Sequence, residues 1–180
     1  MKFLEKHAQH ITGDVLEIQS TAYIQACGRN VRRSESLDID PRHGTTYVGD
    51  LAHCEGLLAS DAYDCFLLPN TLNHLKEIDA CLRHALRVVK PGGVVLATAP
   101  VLTPLTPDFS EYQRFTVAGL QEIAHRVWPD CKIAVESYGN VLAATAALMG
   151  FAYEELSAQE LDVNDGRYPV LLTLFCRKAR

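Results

Sequence analysis

The sequence has 180 residues, which is room for one domain of ordinary size but not for two. Hydrophobic residues make up 48% and charged residues 22%, which excludes a chain dominated by disordered or fibrous segments. The net charge is −5 and the basic residues are scattered, so the sequence lacks the charge pattern of a nucleic-acid-binding protein. A small, polar molecule is the partner that this composition favours.

No segment of the sequence has the character of a membrane anchor or an export signal. The longest uncharged stretches, Pro91–Pro107 and Ser137–Tyr153, are interrupted by prolines, glycines and polar residues. Met1–Ile11 alternates charged with apolar residues, unlike a secretory signal, so a cytoplasmic protein is expected. The six cysteines show no C-x-x-C spacing, which predicts reduced, mostly buried thiols and no metal site.

The first half of the chain alternates short apolar strands with short helices. Apolar residues at helical spacing predict a helix over Phe3–Ile11, and Ser20 or Thr21 is placed to cap a second helix over Ala22–Cys27. One or two further helical turns are expected over Cys54–Ser60. Four short segments bounded by turn residues are predicted as strands: Val15–Ile18, Glu35–Ile39, Thr45–Val48 and Tyr63–Leu68.

The second half continues the alternation with longer helices. Four helical segments show an apolar face, a capping residue or both: Glu77–Val89, Thr116 to about Val127, Asn140–Met149 and Ser157–Leu161. The sequence Pro91-Gly92-Gly93 is expected to stop the first of them. Three further strands are predicted at Val94–Ala99, Lys132–Tyr138 and Val170–Cys176. This alternation specifies a three-layer α/β domain around a mostly parallel sheet.

In such a sheet a ligand binds beyond the carboxyl ends of the strands. Asp38 follows Glu17 by 21 residues, the spacing at which a nucleotide-binding unit places an acid on ribose hydroxyls. The alternative is that Asp38 and Asp40 are polar residues at a strand end. Asp50 follows the third strand and is placed either to accept from an adenine amino group or to form a turn.

Two longer blocks carry a family resemblance. The run Tyr63–Leu75 and the block LRVVKPGGVVL at Leu86–Leu96 resemble the second half of class I S-adenosylmethionine-dependent methyltransferases. With the segments around Glu17, Asp38 and Asp50 in the family's order, the resemblance covers about Thr12–Pro100. The rest of the chain is similar to a bacterial subgroup of small, type 11-like methyltransferases. The resemblance implies a Rossmann-like fold with seven strands, the last antiparallel, as one domain over residues 1–180.

The resemblance also implies the site. Nine residues at the ends of the first four strands are expected to bind S-adenosylmethionine: Glu17, Gln19, Ser20, Asp38, Asp40, Asp50, Leu51, Pro69 and Asn70. Three residues are candidates to act on the acceptor: His74, Tyr112 and Arg114. For His74 the alternative is a helix cap, and for Arg114 it is an ion pair with Glu111 rather than with a substrate carboxylate or phosphate.

The first loop departs from the family pattern. Gln19-Ser20-Thr21-Ala22 stands where the family has glycines, which let the backbone approach the cofactor closely. The leading hypothesis is methyl transfer to an oxygen or nitrogen of a sugar or secondary metabolite. The acceptor would be held by the loop at 101–115, by the N-terminal helix at 1–12, or by a partner subunit in a homodimer. Two alternatives remain: an S-adenosylmethionine-using cyclase or lyase, and a non-catalytic scaffold of the same fold.

Overall fold

A computed structural model describes residues 2–41, 44–107 and 109–180. Its strands are, in chain order, β1 (Gly13–Ile18), β2 (Val31–Asp38), β3 (Tyr47–Val48), β4 (Tyr63–Leu68), β5 (Val89–Pro100), β6 (Lys132–Tyr138) and β7 (Leu171–Arg177). Its α-helices are α1 (Lys2–Lys6), α2 (Ala22–Cys27), α3 (Ile78–Val88), α4 (Val117–Val127), α5 (Val141–Leu148) and α6 (Ala158–Asp162). Short 3-10 turns occur at Ala8–His10, Leu51–His53, Leu72–His74 and Tyr153–Glu155.

The strands form one seven-stranded sheet in the order β3-β2-β1-β4-β5-β7-β6. β3, β2, β1, β4 and β5 are parallel, whereas β7 runs antiparallel to both β5 and β6. This confirms the predicted Rossmann-like sheet with an antiparallel last strand. The order reverses beside β1, so the carboxyl ends of β1 and β4 open into the crevice where such sheets bind ligands.

Both faces of the sheet are covered, which is why the central strands contain apolar runs such as Cys65–Leu68 of β4 and Val94–Ala97 of β5. On one face α3, α4 and the turn at Leu51–His53 enclose the larger core, which includes Leu16, Phe66 and the fully buried Trp128. On the other face α1 and α2 pack their apolar residues on Val15, Leu67 and neighbouring strand residues. No helix of the described ranges is long and apolar enough to cross a membrane.

The predicted helix over Phe3–Ile11 is divided in two. His7 N–H lies 3.2 Å from the Phe3 carbonyl and 3.1 Å from the Leu4 carbonyl, and the chain then tightens into a 3-10 turn. His7 packs between Phe3 and Phe175, with ring centroids 4.9 Å apart in each case. The helix α1 therefore ends where the His7 ring packs on Phe175 of β7. The spacing of apolar residues in the sequence could not predict this contact, so the predicted helix was too long.

Three other predicted boundaries differ from the structure. β2 begins at Val31 instead of Glu35, because its first residues pair with β1 from Gly13 onward while their side chains stay largely exposed. β5 begins at Val89 and passes through Gly93, with a shift of register against β4. The segment after Cys54 forms a turn closed by a 2.9 Å bond from Leu58 N–H to the Cys54 carbonyl, rather than a helix.

Candidate active site

A cleft of about 280 Å³ opens at the carboxyl ends of β4 and β5. Its floor comes from residues at or just beyond these ends, and its walls come from α1, α2, α6 and the ends of β6 and β7. The lining residues are Lys2, Phe3, Leu4, Tyr23, Pro69, Asn70, Thr98, Tyr138, Leu161 and Leu171. The floor is therefore polar, and the walls are mainly apolar with Lys2, Tyr23 and Tyr138 among them, which is the usual character of a small-molecule site.

Asn70 forms the floor of the cleft together with Thr98. Asn70 has a positive φ of 51°, and its backbone N–H donates to Thr98 Oγ1 at 2.8 Å. The Thr98 hydroxyl donates in return to Asn70 Oδ1 at 3.0 Å. These two bonds fix the turn after β4, and among the described residues Asn70 Nδ2 has no hydrogen-bond partner. The floor therefore presents an amide donor held in place by a neighbouring strand.

The end walls of the cleft are held by ion pairs on α1. Lys2 pairs with Asp162 of α6 at the mouth of the cleft. Lys6 Nζ lies 2.8 Å from both carboxylate oxygens of Glu136 on β6, and this bond raises the pKa of Lys6. Tyr138 donates to Glu136 Oε2 at 3.3 Å, and burial raises the pKa of its phenol. Lys2, Tyr23 and Tyr138 are the titratable groups among the described lining residues.

Glu17 is fully buried beneath the first loop. Its Oε1 accepts from Tyr23 N–H at 3.1 Å and its Oε2 from Ile24 N–H at 2.8 Å. Burial raises the pKa of Glu17 to about 7, against the opposing effect of these two backbone bonds. Because its carboxylate is occupied inside the protein, Glu17 positions the loop and α2, and its predicted contact with the cofactor would be indirect.

Gln19 adopts the left-handed backbone conformation that the family's glycine would supply. Its φ is +73°, and its N–H donates to the Leu37 carbonyl at 2.9 Å. Ser20 N–H donates to the Ile18 carbonyl at 3.0 Å, and Ser20 Oγ accepts from Ala22 N–H at 3.3 Å. The loop thus retains the glycine-type turn although it contains no glycine, and the Gln19 side chain is exposed.

We expect Gln19→Gly to raise the free energy of unfolding by up to about 1 kcal/mol, because a side chain at positive φ is strained. Asn30→Gly is the matched control, since Asn30 has a φ of +52° before β2, at the opposite end of the paired strands β1 and β2 from this loop. Asn tolerates the left-handed region, so a smaller gain is expected there. Urea denaturation measures both, and a loss of stability in Gln19→Gly would show that the side chain stabilises the loop.

The loops after β2 and β3 adjoin the first loop at the same edge of the sheet. Asp38 lies opposite Val48 in the sheet, its carbonyl accepts from Gly49 N–H at 2.8 Å, and its Oδ1 accepts from Asp40 N–H at 3.0 Å. Asp50 is exposed, and its Oδ1 accepts from Ala52 N–H at 2.8 Å, which caps the turn at Leu51–His53. Carboxylates therefore stand at the ends of two neighbouring strands, β2 and β3, along one edge.

The predicted acceptor residues lie outside the lining of the cleft. His74 Nδ1 is 3.0 Å from the Ser110 carbonyl, and Tyr112 N–H donates to the Asn73 carbonyl at 2.8 Å. Arg114 forms the alternative ion pair with Glu111, at 2.6 Å, and also donates to the Thr103 carbonyl at 2.8 Å. This pair lowers the pKa of Glu111. These contacts join Ser110 and Tyr112 to the turn at Leu72–His74 and join Arg114 to Glu111 and Thr103, and the action of the three residues on an acceptor stays a prediction.

Sequence reasoning missed several lining residues. Thr98 had a usable signal, because it is a hydroxyl residue near the end of an apolar strand that faces the predicted ligand edge. Leu161 and Leu171 had none, since they reach the cleft from α6 and β7 through tertiary packing. Of the three predicted ways to hold an acceptor, the N-terminal one corresponds to residues that line this cleft, Lys2 and its neighbours on α1, and their contact with an acceptor stays a prediction.

The described residues contain no group of three His, Cys, Asp or Glu side chains that could hold a metal ion. All six cysteines are free thiols, five of them buried and Cys131 partly exposed. Cys131 is close enough to the buried Cys176 for the two thiols to interact, which adds to the raised pKa of Cys176. The thiols lie outside the cleft lining, so the site is built from backbone, carboxylate, amide and hydroxyl groups.

Comparison with known proteins places these features in one family. Residues 4–97 match the family model described as a methyltransferase domain, which is more than half of the chain. No curated protein matches the sequence.

Solved structures resemble the chain over nearly its whole length. A SAM-dependent methyltransferase from Archaeoglobus fulgidus is 15% identical, with a TM-score of 0.64, covering 98% of this chain and 92% of its own. An S-adenosylmethionine-dependent methyltransferase from Mesorhizobium loti is 15% identical, with a TM-score of 0.63, and the match covers 98% of this chain and 96% of that one. A complex of DhpI with SAH is 18% identical, with a TM-score of 0.60, covering 98% and 82%. At these identities the likeness establishes the fold alone.

Proposed function

Because this chain belongs to the methyltransferase domain family, we propose that it transfers the methyl group of S-adenosylmethionine to an oxygen or nitrogen of a small molecule. The observation that carries the proposal is the cleft at Asn70 and Thr98, at the end of an edge bearing Gln19, Asp38 and Asp50. A cofactor lying along that edge would present its methyl group to the cleft. Two solved neighbours are complexes with such a ligand, DhpI with SAH and Haemonchus contortus phosphoethanolamine N-methyltransferase 2 with S-adenosyl-L-methionine.

The residues present fit S-adenosylmethionine. The left-handed turn at Gln19 retains the backbone shape that brings the first loop close to the methionine part, without the family's glycine. Asp38 ends β2 where a carboxylate accepts from ribose hydroxyls, and Asp50 follows β3 on the adenine side. This retained turn favours methyl transfer over the cyclase or lyase alternative, which depended on an altered loop.

When bound, S-adenosylmethionine supplies an electrophilic methyl group on a sulfonium, which an acceptor nucleophile takes by in-line attack. The chain's own contribution is to position that nucleophile. Asn70 Nδ2 and the Tyr138 hydroxyl offer hydrogen bonds, while Phe3, Leu4 and Leu171 exclude water. No carboxylate or imidazole stands among the described lining residues, so the rate would depend on positioning rather than on a strong base.

The proposed ribose contact makes Asp38 the first residue to test. We expect Asp38→Asn to weaken the affinity for S-adenosylhomocysteine about tenfold, or about 1.4 kcal/mol, because an amide replaces a charged acceptor. Asn keeps an oxygen for the Asp40 N–H, so the local turn is preserved. Asp79→Asn, which removes a charge from an ion pair with Arg126 on α3 and α4, is the control. Calorimetric titration measures both, and an unchanged affinity in Asp38→Asn would remove the ribose assignment.

Activity is tested with S-adenosylmethionine and a panel of small alcohols, sugars and amines. Formation of S-adenosylhomocysteine that depends on an acceptor is the expected result. Release of methylthioadenosine without any acceptor would instead identify a cyclase or lyase. Absence of binding by both S-adenosylmethionine and S-adenosylhomocysteine would contradict the proposal and favour the scaffold alternative.

A further inference from the structure

A second cleft, of about 400 Å³, opens on the outer face of β6 and β7. The N-terminal segment forms one side of it through Lys6, His7 and His10, and the strands contribute Lys132, Glu136 and Arg177. Phe3 lines both this cleft and the candidate active site, so α1 is their shared wall. Leu171 lines the candidate active site, and Arg177 lies six residues further along β7, or about 20 Å away. The part of the second cleft at Arg177 is therefore well away from the proposed methyl-transfer position.

The charges in this cleft are unbalanced. Lys132 and Arg177 are directly opposite one another in the pairing of β6 with β7. Like charges at directly opposite positions are destabilising, and among the described residues neither side chain has a carboxylate within ion-pair distance. Glu136 is the carboxylate that lines the cleft, and both of its oxygens are bound to Lys6. The cleft therefore keeps two adjacent positive charges in a chain whose net charge is −5.

Two nitrogen atoms in the same cleft are withdrawn from water without a hydrogen-bond partner among the described residues: Arg177 Nε and His7 Nδ1. A buried polar atom without a partner costs about 1–3 kcal/mol. Arg177 also has an Nη2 that lies 3.2 Å from the His10 ring, which holds its guanidinium over the cleft. An acceptor oxygen placed between Lys132 and Arg177 would offset the repulsion between these two charges.

We propose that this cleft binds a small organic or inorganic anion that carries phosphate or carboxylate groups. Lys132 and the Arg177 guanidinium supply the charge, and planar guanidinium groups suit the paired oxygens of both anion types. Phe175 forms an apolar surface between these cations and α1. The site is separate from the proposed methyl-transfer cleft and does not depend on its acceptor.

Calorimetric titration with pyrophosphate and with citrate, at matched ionic strength, tests the proposal. Saturable binding of one or both is expected, and the preferred anion distinguishes a phosphate ligand from a carboxylate ligand. Lys132→Gln should weaken that binding about tenfold. Lys132 is exposed, so this variant retains the fold.

Arg83→Gln is the matched control, because Arg83 is an exposed cation on α3, which packs on the opposite face of the sheet. Its affinity for the anion should equal that of the unmodified protein. The proposal is overturned if neither anion binds saturably, if both variants lose affinity equally, or if saturating S-adenosylhomocysteine displaces the anion. Failure of the methyl-transfer proposal would leave this titration unaffected, so the two can be judged separately.

Discussion

The stability difference between the unmodified protein and Glu17→Gln is expected to change by about 3 kcal/mol between pH 4.5 and pH 7. Glu17 has a pKa of about 7 in the folded protein, against an ordinary value of 4.5. Within that window the folded protein holds a proton that the unfolded chain has released. The free energy of unfolding therefore falls as the pH rises, by about 1.4 kcal/mol for each pKa unit.

The direction follows from burial of the carboxyl. Glu17 has no exposed surface, and removal from water penalises its charged form more than the Tyr23 and Ile24 amides stabilise it. The contribution of Glu17 is fully present below pH 4.5 and is lost as the pH passes 7. The amide introduced by Glu17→Gln does not titrate, so the free energy of unfolding of the variant lacks the pH dependence that Glu17 contributes. Any other effect of the amide on the stability of the loop is the same at every pH.

Urea denaturation at several pH values measures the effect as a difference between the two proteins, in which the titration of all other groups cancels. Glu5→Gln is the control, since it removes an exposed carboxylate of α1 by the same chemical change. A difference for Glu17→Gln that does not vary with pH would show that the Glu17 carboxyl is charged at neutral pH. The loop would then rest on a buried anion at the amino end of α2.

The sequence was sufficient to predict the strands whose side chains are buried on both faces. β4 agrees with its predicted bounds because every residue from Cys65 to Leu68 packs into a core. A run of apolar residues in a sequence indicates a buried strand, so these bounds were predictable. β2 was predicted only in part, because Arg32 and Arg33 are exposed and their ion pairs with Asp14 leave no apolar signal. The first residues of β2 are in the strand because their backbone pairs with β1, although their side chains are not apolar.

The candidate site was predictable to the extent that it follows strand ends. Asp38, Asp50 and Asn70 were identified because the topology places the residue after each parallel strand at one edge of the sheet. The turn at Gln19 was not predictable, since a left-handed conformation is expected of glycine and this loop has none. The apolar walls were not predictable either, because Leu161 and Leu171 come from elements that reach the cleft only through packing.

We expect Asn140→Ala to lower the free energy of unfolding by about 3 kcal/mol. Asn140 is buried and makes three hydrogen bonds. Its Oδ1 accepts from Ala143 N–H at 2.9 Å and caps α5, and its Nδ2 donates at 2.8 Å to the carbonyls of Glu160 and Val163. A lost cap costs about 1 kcal/mol, and each partly buried bond that loses its Asn140 Nδ2 donor costs a similar amount.

Asn140→Ser separates the two roles of this residue. Serine keeps an oxygen that caps α5 but lacks the amide donors, so the expected loss is about 2 kcal/mol. Asn164→Ala is the control, because Asn164 also bonds to the Ser137 carbonyl and to Gly139 N–H but is exposed, where water replaces those bonds. Its loss should stay below about 1 kcal/mol.

Loss of the Asn140 hydrogen bonds should also affect one wall of the candidate active site, the wall formed by α6. The two carbonyls that Asn140 holds belong to α6 and the residue after it, and α6 carries Leu161 in the cleft lining and Asp162 in the pair with Lys2. Both Asn140 variants should therefore expose α6 amides to hydrogen exchange, while the affinity for S-adenosylhomocysteine, which we propose binds along the edge of β1 to β4, stays unchanged. If affinity fell with the exchange protection, α6 would have to contact the cofactor itself, and the cleft would be an extension of the cofactor site instead of the place where the acceptor binds.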